Sequence, residues 1–155
     1  MMEKQTGEKT VATNKKAYHE YFILEKMEAG VSLLGTEVKA IREGRLNLKD
    51  SYAMVQAGEA FLFNCHISPY SHGNQENHNP TRSRKLLLHQ KEIRKLIGKT
   101  QEKGLTLVPL RVYFKKGRIK VELGVARGKK FFDKRETERR KEADREAAVA
   151  MKHRR

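Results

Sequence analysis

Apolar side chains recur along this chain in several rhythms, and each rhythm predicts a different element. From Tyr18 to Met27, Phe22 and Leu24 alternate with Tyr21, Ile23 and Glu25, which predicts a strand with both faces partly buried. Gly30 is placed to end it. Val38 and Ile41 lie three apart between Glu37 and Glu43, with Thr36 placed to cap and Gly44 to stop a short helix. Ser51 to Gln56 and Ala60 to Ile67 flank Ala57-Gly58-Glu59 and read as a hairpin. A long polar segment, Ser68 to Lys85, leads into Leu86-Leu87-Leu88 and then a helix over about His89 to Lys103. There Ile93, Leu96, Ile97 and Thr100 fall at i, i+3, i+4 and i+7, and Gly104 terminates the pattern. Leu105 to Phe114 and Arg118 to Ala126 form a second hairpin about Lys115-Lys116-Gly117.

These elements total about six strands and two helices. Short strands with turn signals predict an all-β fold with peripheral helices, an OB-fold-like closed antiparallel β-barrel over residues 13–128. Both ends lack such patterning. Residues 1–12 are polar and aperiodic and are expected to be disordered. Residues 129–155 hold 11 Lys+Arg against 6 Asp+Glu, a net of +5, with Val149 and Met151 the only sizeable aliphatics. Such a tail buries too little apolar surface to offset its ordering entropy, so it is expected to be disordered when free. Asp133 with Glu136 three residues on resembles a capping box, which predicts a helix once the tail is bound.

Charge narrows the partner. The chain carries 34 basic and 19 acidic residues, a net of +15, and without the tail the remainder still holds 23 against 13, or +10. A basic body with a basic tail points to an extended polyanion, nucleic acid first. An anionic membrane is the competitor, but no long apolar run, signal peptide or lipidation motif favours it. The lone Cys65, sharing a face with Phe61, Phe63 and Ile67, reads as a small buried hydrophobe in a protein of the reducing cytoplasm. His66, His72, His78 and His89 match no zinc spacing. With no phosphate loop, nucleophile elbow or paired carboxylates, the reading is a non-enzyme without metal or cofactor.

Several clusters fit RNA. Asn14, Lys15 and Lys16, followed by Tyr18 and Tyr21, combine phosphate-reaching groups with rings that stack. Arg82, Arg84 and Lys85 bind an anion or merely keep a loop solvated. Lys115, Lys116, Arg118 and Lys120 crowd one hairpin tip, where their repulsion favours a bound anion. Glu28 accepts from a base edge, orients an arginine, pairs with a lysine or caps the turn at Ala29-Gly30.

The motifs that carry a family resemblance are Asn14-Lys15-Lys16-Ala17 with Tyr21-Phe22-Ile23, Glu28-Ala29-Gly30 and Gly35-Thr36-Glu37-Val38-Lys39. They continue with Asn47-Leu48-Lys49-Asp50-Ser51-Tyr52, His66-Ile67-Ser68-Pro69-Tyr70 and Arg84-Lys85-Leu86-Leu87-Leu88-His89. Gly128-Lys129-Lys130 and Asp133-Lys134-Arg135 complete the set. In this order they resemble the SmpB family, the bacterial partners of tmRNA (SsrA RNA) in rescue of stalled ribosomes. The resemblance implies a monomeric adaptor whose body binds the tRNA-like domain of tmRNA. With elongation factor Tu and GTP, the complex would enter the A site of a ribosome lacking a codon. Asn14, Glu28, Leu87 and Lys120 match RNA-contact or activity-linked positions, and Lys39, Arg42 and Lys129 join them on charge grounds.

The resemblance further implies that the tail, hinged at Gly128, enters the empty mRNA channel past the decoding centre through Lys129, Lys130, Phe132, Asp133, Lys134 and Arg135. Phe132 stands where the family often has His or Tyr, so stacking on a decoding-centre base carries over but a ring hydrogen bond does not. Tyr18 stands where the family often has Arg. Residues 146–155 are Ala-rich, and Met151 alone keeps a bulky apolar contact there. A general ribosomal or tRNA-binding OB-fold protein without rescue function is the rival reading.

Overall fold

The computed structural model describes residues 7–70, 77–101 and 104–129. Nine strands and three helices occur among them: β1 Glu8–Thr13, α1 Lys15–Glu20, β2 Tyr21–Val31, α2 Gly35–Arg42, β3 Leu46–Asn47, β4 Tyr52–Gln56, β5 Glu59–Phe63, β6 His66–Ile67, β7 Arg84–Leu87, α3 Gln90–Thr100, β8 Leu105–Lys115 and β9 Arg118–Gly128. The order β8-β4-β5-β7-β2-β9 closes on itself because β9 also pairs with β8, and every pairing is antiparallel. The result is the expected closed barrel of six strands, with β1 added beside β8.

Turn chemistry sets the two hairpins. Ala57-Gly58 and Lys116-Gly117 both have positive φ at both positions, the two-residue turn whose twist matches that of the flanking strands. The second turn fixes Tyr113 opposite Lys120. Inside the ring the core is built from small and medium side chains, Ala29, Ala53, Ala60, Leu62, Leu86, Leu107, Val112, Val121 and Leu123 among them, joined by Leu96 from α3 and Ile41 from α2. A second cluster lies outside the ring, where Ala17 of α1 covers Val108, Leu110 and Ala126. Covering on both faces explains the apolar run Leu107 to Leu110 in β8, whereas the first half of β9 alternates through Arg118, Lys120 and Glu122.

Pro109 has no N–H to give, and the β8–β9 register slips between Pro109 and Arg111. The carbonyls freed there are taken up by Asn14, whose backbone N–H donates to Leu110 (2.7 Å) and whose side-chain amide donates to Pro109 (2.9 Å). Its side-chain oxygen accepts from the Ala17 N–H at 3.2 Å and so caps α1. Gly124 matters by its size, since a Cβ there would stand 2.9 Å from a Leu110 methyl and 3.3 Å from Ile23. Gly124→Ala is expected to destabilise by about 1–3 kcal/mol through overpacking; urea unfolding checks this, and an unchanged midpoint would show that Leu110 yields freely.

Five expectations change. Residues 8–12 form β1 rather than disorder, held by β8 and by the Arg111–Glu8 pair at 2.9 Å, so the folded body begins before residue 13. Tyr18 to Glu20 are helical because Asn14 caps α1 and Ala17 has a surface to bury against. Gly30 lies inside β2, where its missing side chain admits Leu87. Leu34, not Thr36, is the cap residue of α2, and Glu37 accepts its N–H at 2.7 Å. Phe61 and Phe63 do not share the face of Cys65, because Ala60 and Leu62 occupy the interior and a bend at Asn64, at positive φ, breaks the alternation.

Candidate nucleic-acid interface

Antiparallel register brings Glu28 on β2 and Lys120 on β9 to one end of the barrel, where β7 adds Leu87. The three line one open groove of about 770 Å³, together with Gly30, Arg118, His89, Glu92 and Lys85, which pairs with Glu59. Leu87 is 52% exposed and leans on Gly30, with its Cβ 3.2 Å from where a glycine Cβ would be. An exposed leucine in a groove with Arg118, Lys120 and Glu28 offers an apolar platform for a base or sugar and charges for phosphate and polar edges.

Glu28 is not aimed at random. Its Oε1 accepts from the Tyr113 hydroxyl at 2.6 Å and from Lys115 Nζ at 3.3 Å. The Tyr113 bond, aided by Lys115 and Lys120 and opposed by partial burial, holds the Glu28 carboxyl below its ordinary pKa. Burial and the bond to Glu28 push the Tyr113 phenol up, so it stays a donor at neutral pH. Arg111 stacks on the Tyr113 ring at 3.9 Å and bonds Glu8 and Glu122. One carboxylate oxygen is thus fixed by the protein, leaving Oε2 to accept from a base edge or a ribose hydroxyl. Tyr113 was missed in the sequence, although the hairpin register places it opposite Lys120 and on the face of Lys115.

The other expected RNA residues lie elsewhere. Asn14 is 7% exposed and its amide is spent on Pro109, Ala17 and a longer bond to the Leu48 carbonyl (3.4 Å). Lys16 meets Asp50 at 2.8 Å and Glu20 at 3.8 Å, and these carboxylates raise its pKa. With Tyr21 and Asn14 it borders a separate hollow of about 310 Å³. Lys15 is exposed on α1. Lys39 and Arg42 are exposed on α2, Lys39 sitting 5.5 Å from the Tyr70 ring centroid. Gly128 is the last residue of β9, paired with Tyr21, and Lys129 turns back to donate to the Tyr18 carbonyl at 3.2 Å and lie over Phe22. Lys130, Phe132, Asp133, Lys134, Arg135 and Met151 lie outside the described residues.

The basic loop cluster divides. Arg84 is fully buried and donates to Glu37, itself fully buried, at 2.5 Å, while Arg82 reaches the same carboxylate at 2.6 Å. Only Lys85 of the three faces the groove. His78 is buried between the Thr36 hydroxyl (2.9 Å) and the Ile67 carbonyl (2.7 Å). Among the described residues no group of three His, Cys, Asp or Glu is arranged to hold a metal. Burial pushes the Cys65 thiol up to about 11, which keeps it protonated.

A closed basic barrel whose mixed-charge groove sets Arg118 and Lys120 beside an exposed leucine and a fixed carboxylate suits an RNA-binding adaptor protein. The sequence profile of the SmpB protein family matches residues 11–153, and the chain belongs to that family. It is 62% identical over 152 residues to the SsrA-binding protein of Syntrophobacter fumaroxidans, covering 97% of this chain and 94% of the relative. The SsrA-binding protein of Geobacillus kaustophilus is 62% identical over 146 residues, covering 94% of each. A solved structure described as "tmRNA-SmpB: a journey to the center of the bacterial ribosome" superposes with a TM-score of 0.65 at 51% identity, covering 76% of this chain and 83% of that one.

Proposed function

We propose that this protein binds the tRNA-like domain of tmRNA and delivers it to the A site of stalled ribosomes for rescue and peptide tagging. The observation that carries the reading is the groove in which Glu28, Leu87 and Lys120 converge from three strands on a body of net charge +10. Lys120 and Arg118 neutralise phosphate, Leu87 supports a base or sugar, and Glu28, which bears no proton at neutral pH, accepts a hydrogen bond that a phosphate cannot give. Asn14 acts through the fold, by holding α1 on the bulge of β8. The tail enters the vacant mRNA channel, elongation factor Tu with GTP brings the complex in, and the protein works as a non-catalytic cytoplasmic monomer. Among the described residues no helix is long and apolar enough to cross a membrane.

Competition binding tests the reading. tmRNA is expected to displace labelled tmRNA far better than bulk tRNA at physiological salt, and equal displacement would leave a general tRNA-binding protein. Lys120→Ala is expected to weaken RNA binding and lower the slope of log affinity against log salt by roughly one unit. An unchanged slope would remove Lys120 from the phosphate contacts.

A further inference from the structure

Two carboxylates face each other across the β2–β9 pairing, Glu28 opposite Glu122. Like charges directly opposite one another on neighbouring strands destabilise a sheet, so folding alone gives no reason for the pair. On the other side of β9, β8 sets Arg111 opposite Glu122 and Tyr113 opposite Lys120. Arg111 donates to Glu122 through Nε at 3.3 Å, and Tyr113 donates to Glu28 Oε1 at 2.6 Å. Each acid is thus taken up from β8, and among the described residues Lys120 makes no ion pair with either. Lys120 stands diagonally across from Glu28, near enough for its charge to help lower the Glu28 pKa. Arg111 is itself held. Its Nη2 meets Glu8 at 2.9 Å and its Nη1 the Thr10 hydroxyl at 3.3 Å, both on β1, and its guanidinium lies 3.9 Å from the Tyr113 ring centroid. Tyr113 is 2% exposed, so it acts on a ligand only through Glu28.

We infer that Tyr113 and Arg111 are positioning residues for RNA binding, which keep Glu28 from closing on Lys120. The carboxylate stays a hydrogen-bond acceptor and the ammonium stays a phosphate contact; an ion pair between the two would cancel both. Lys115 cannot hold Glu28 in place by itself, because it meets Oε1 at 3.3 Å from a side chain 36% exposed, and exposed ion pairs fix little. β1 belongs to the same device through Glu8 and Thr10, although none of its residues is among the described lining of the groove. The inference rests on the RNA-binding reading above and deepens it.

A double-mutant cycle in the full chain, read by filter binding to tmRNA, tests it. Tyr113→Phe keeps the ring beside Arg111 and removes only the hydroxyl. It is expected to weaken binding roughly tenfold, the low end for a hydrogen bond to a charged group. In a Glu28→Ala background the same change should cost less than about twofold, because nothing is left to position. The salt dependence of binding gives a second readout. Its slope in Tyr113→Phe is expected to fall toward that of Lys120→Ala, since a released Glu28 occupies the lysine, and to return to the parent's once Glu28 is also removed. Arg111→Lys keeps the charge but neither the fork nor the flat stacking face, and is expected to show the same dependence on Glu28. Parent-like affinity or an unchanged salt slope in Tyr113→Phe overturns the inference. Equal losses with and without Glu28 also overturn it, by assigning the tyrosine to the fold. Should Glu28→Ala itself bind tmRNA as the parent does, the reading of the groove fails first and the inference falls with it.

Discussion

Replacing Glu37 with alanine is expected to cost about 3–5 kcal/mol of folding stability, the range for an uncompensated buried charge. The carboxylate is fully buried and accepts from four donors: Arg82 through Nε (3.1 Å) and Nη2 (2.6 Å), Arg84 Nε (2.5 Å) and the Leu34 N–H (2.7 Å). Arg84 also donates to the Cys65 carbonyl at 2.6 Å and the Pro80 carbonyl at 3.1 Å, so α2, the link between β5 and β6, and the loop before β7 meet on one guanidinium. Without Glu37 that cation has no counterion and no route to water. Domains of this size hold only about 5–15 kcal/mol in total, so a large share of the stability would go. Urea unfolding followed by circular dichroism reads the result, and a midpoint equal to the parent's would mean that the ion pair contributes nothing net. Replacing Glu37 and Arg84 together with leucine should recover part of the loss, because removing both charges leaves neither unpaired.

The same cluster sets an acid limit. Burial raises the Glu37 pKa, but the bonds from Arg82, Leu34 and Arg84 outweigh it and hold the value below normal. A carboxyl whose pKa is depressed in the fold stabilises it above the unfolded value, about 4.3 for Glu, and loses that stabilisation as pH falls through the folded value. The parent is therefore expected to lose stability below about pH 4, and Glu37→Gln to lose less over that interval.

The elements with local signals were legible in the sequence. α3 has its 3.6-residue period, and the β8–β9 hairpin has a two-residue turn whose register follows from Gly117. Elements that depend on distant partners were not. α1 buries only Ala17 and needs the carbonyls freed by Pro109 to place its cap, 95 residues away. β1 has no apolar alternation and is defined by β8 and Arg111. Arginine near a polar loop reads as surface, so the burial of Arg84 had no sequence signal. The faces of β5 were misjudged because strict alternation carries Phe61 and Phe63 onto the face of Cys65, whereas Asn64 at positive φ breaks that alternation and Ala60 and Leu62 take the interior. The groove was legible only in pieces: Lys120 by charge, Glu28 as an acid out of place, and Leu87 by resemblance alone.

Deleting Asp133 to Arg155 is expected to abolish peptide tagging on stalled ribosomes while leaving tmRNA affinity within roughly threefold. The groove residues all lie in the body, and β9 completes its pairing with β2 at Gly128, so the truncation removes no strand pairing. The deleted segment holds 9 basic and 6 acidic residues, so it takes away +3 and leaves +12 on the shortened chain. Three charges spread along a chain of alternating sign add little to counterion release when most phosphate contacts lie in the groove. Tagging makes a separate demand, because a ribosome with an empty mRNA channel differs from a translating one in the channel itself, beyond the reach of a barrel seated on tmRNA. That demand falls, in the proposed function, to residues 129–155, whose net charge of +5 suits a polyanionic surface. Filter binding and a tagging assay on the same preparation separate the two demands. Loss of both would place the tail on the tmRNA surface, and retention of both would mean that the body alone identifies a stalled ribosome.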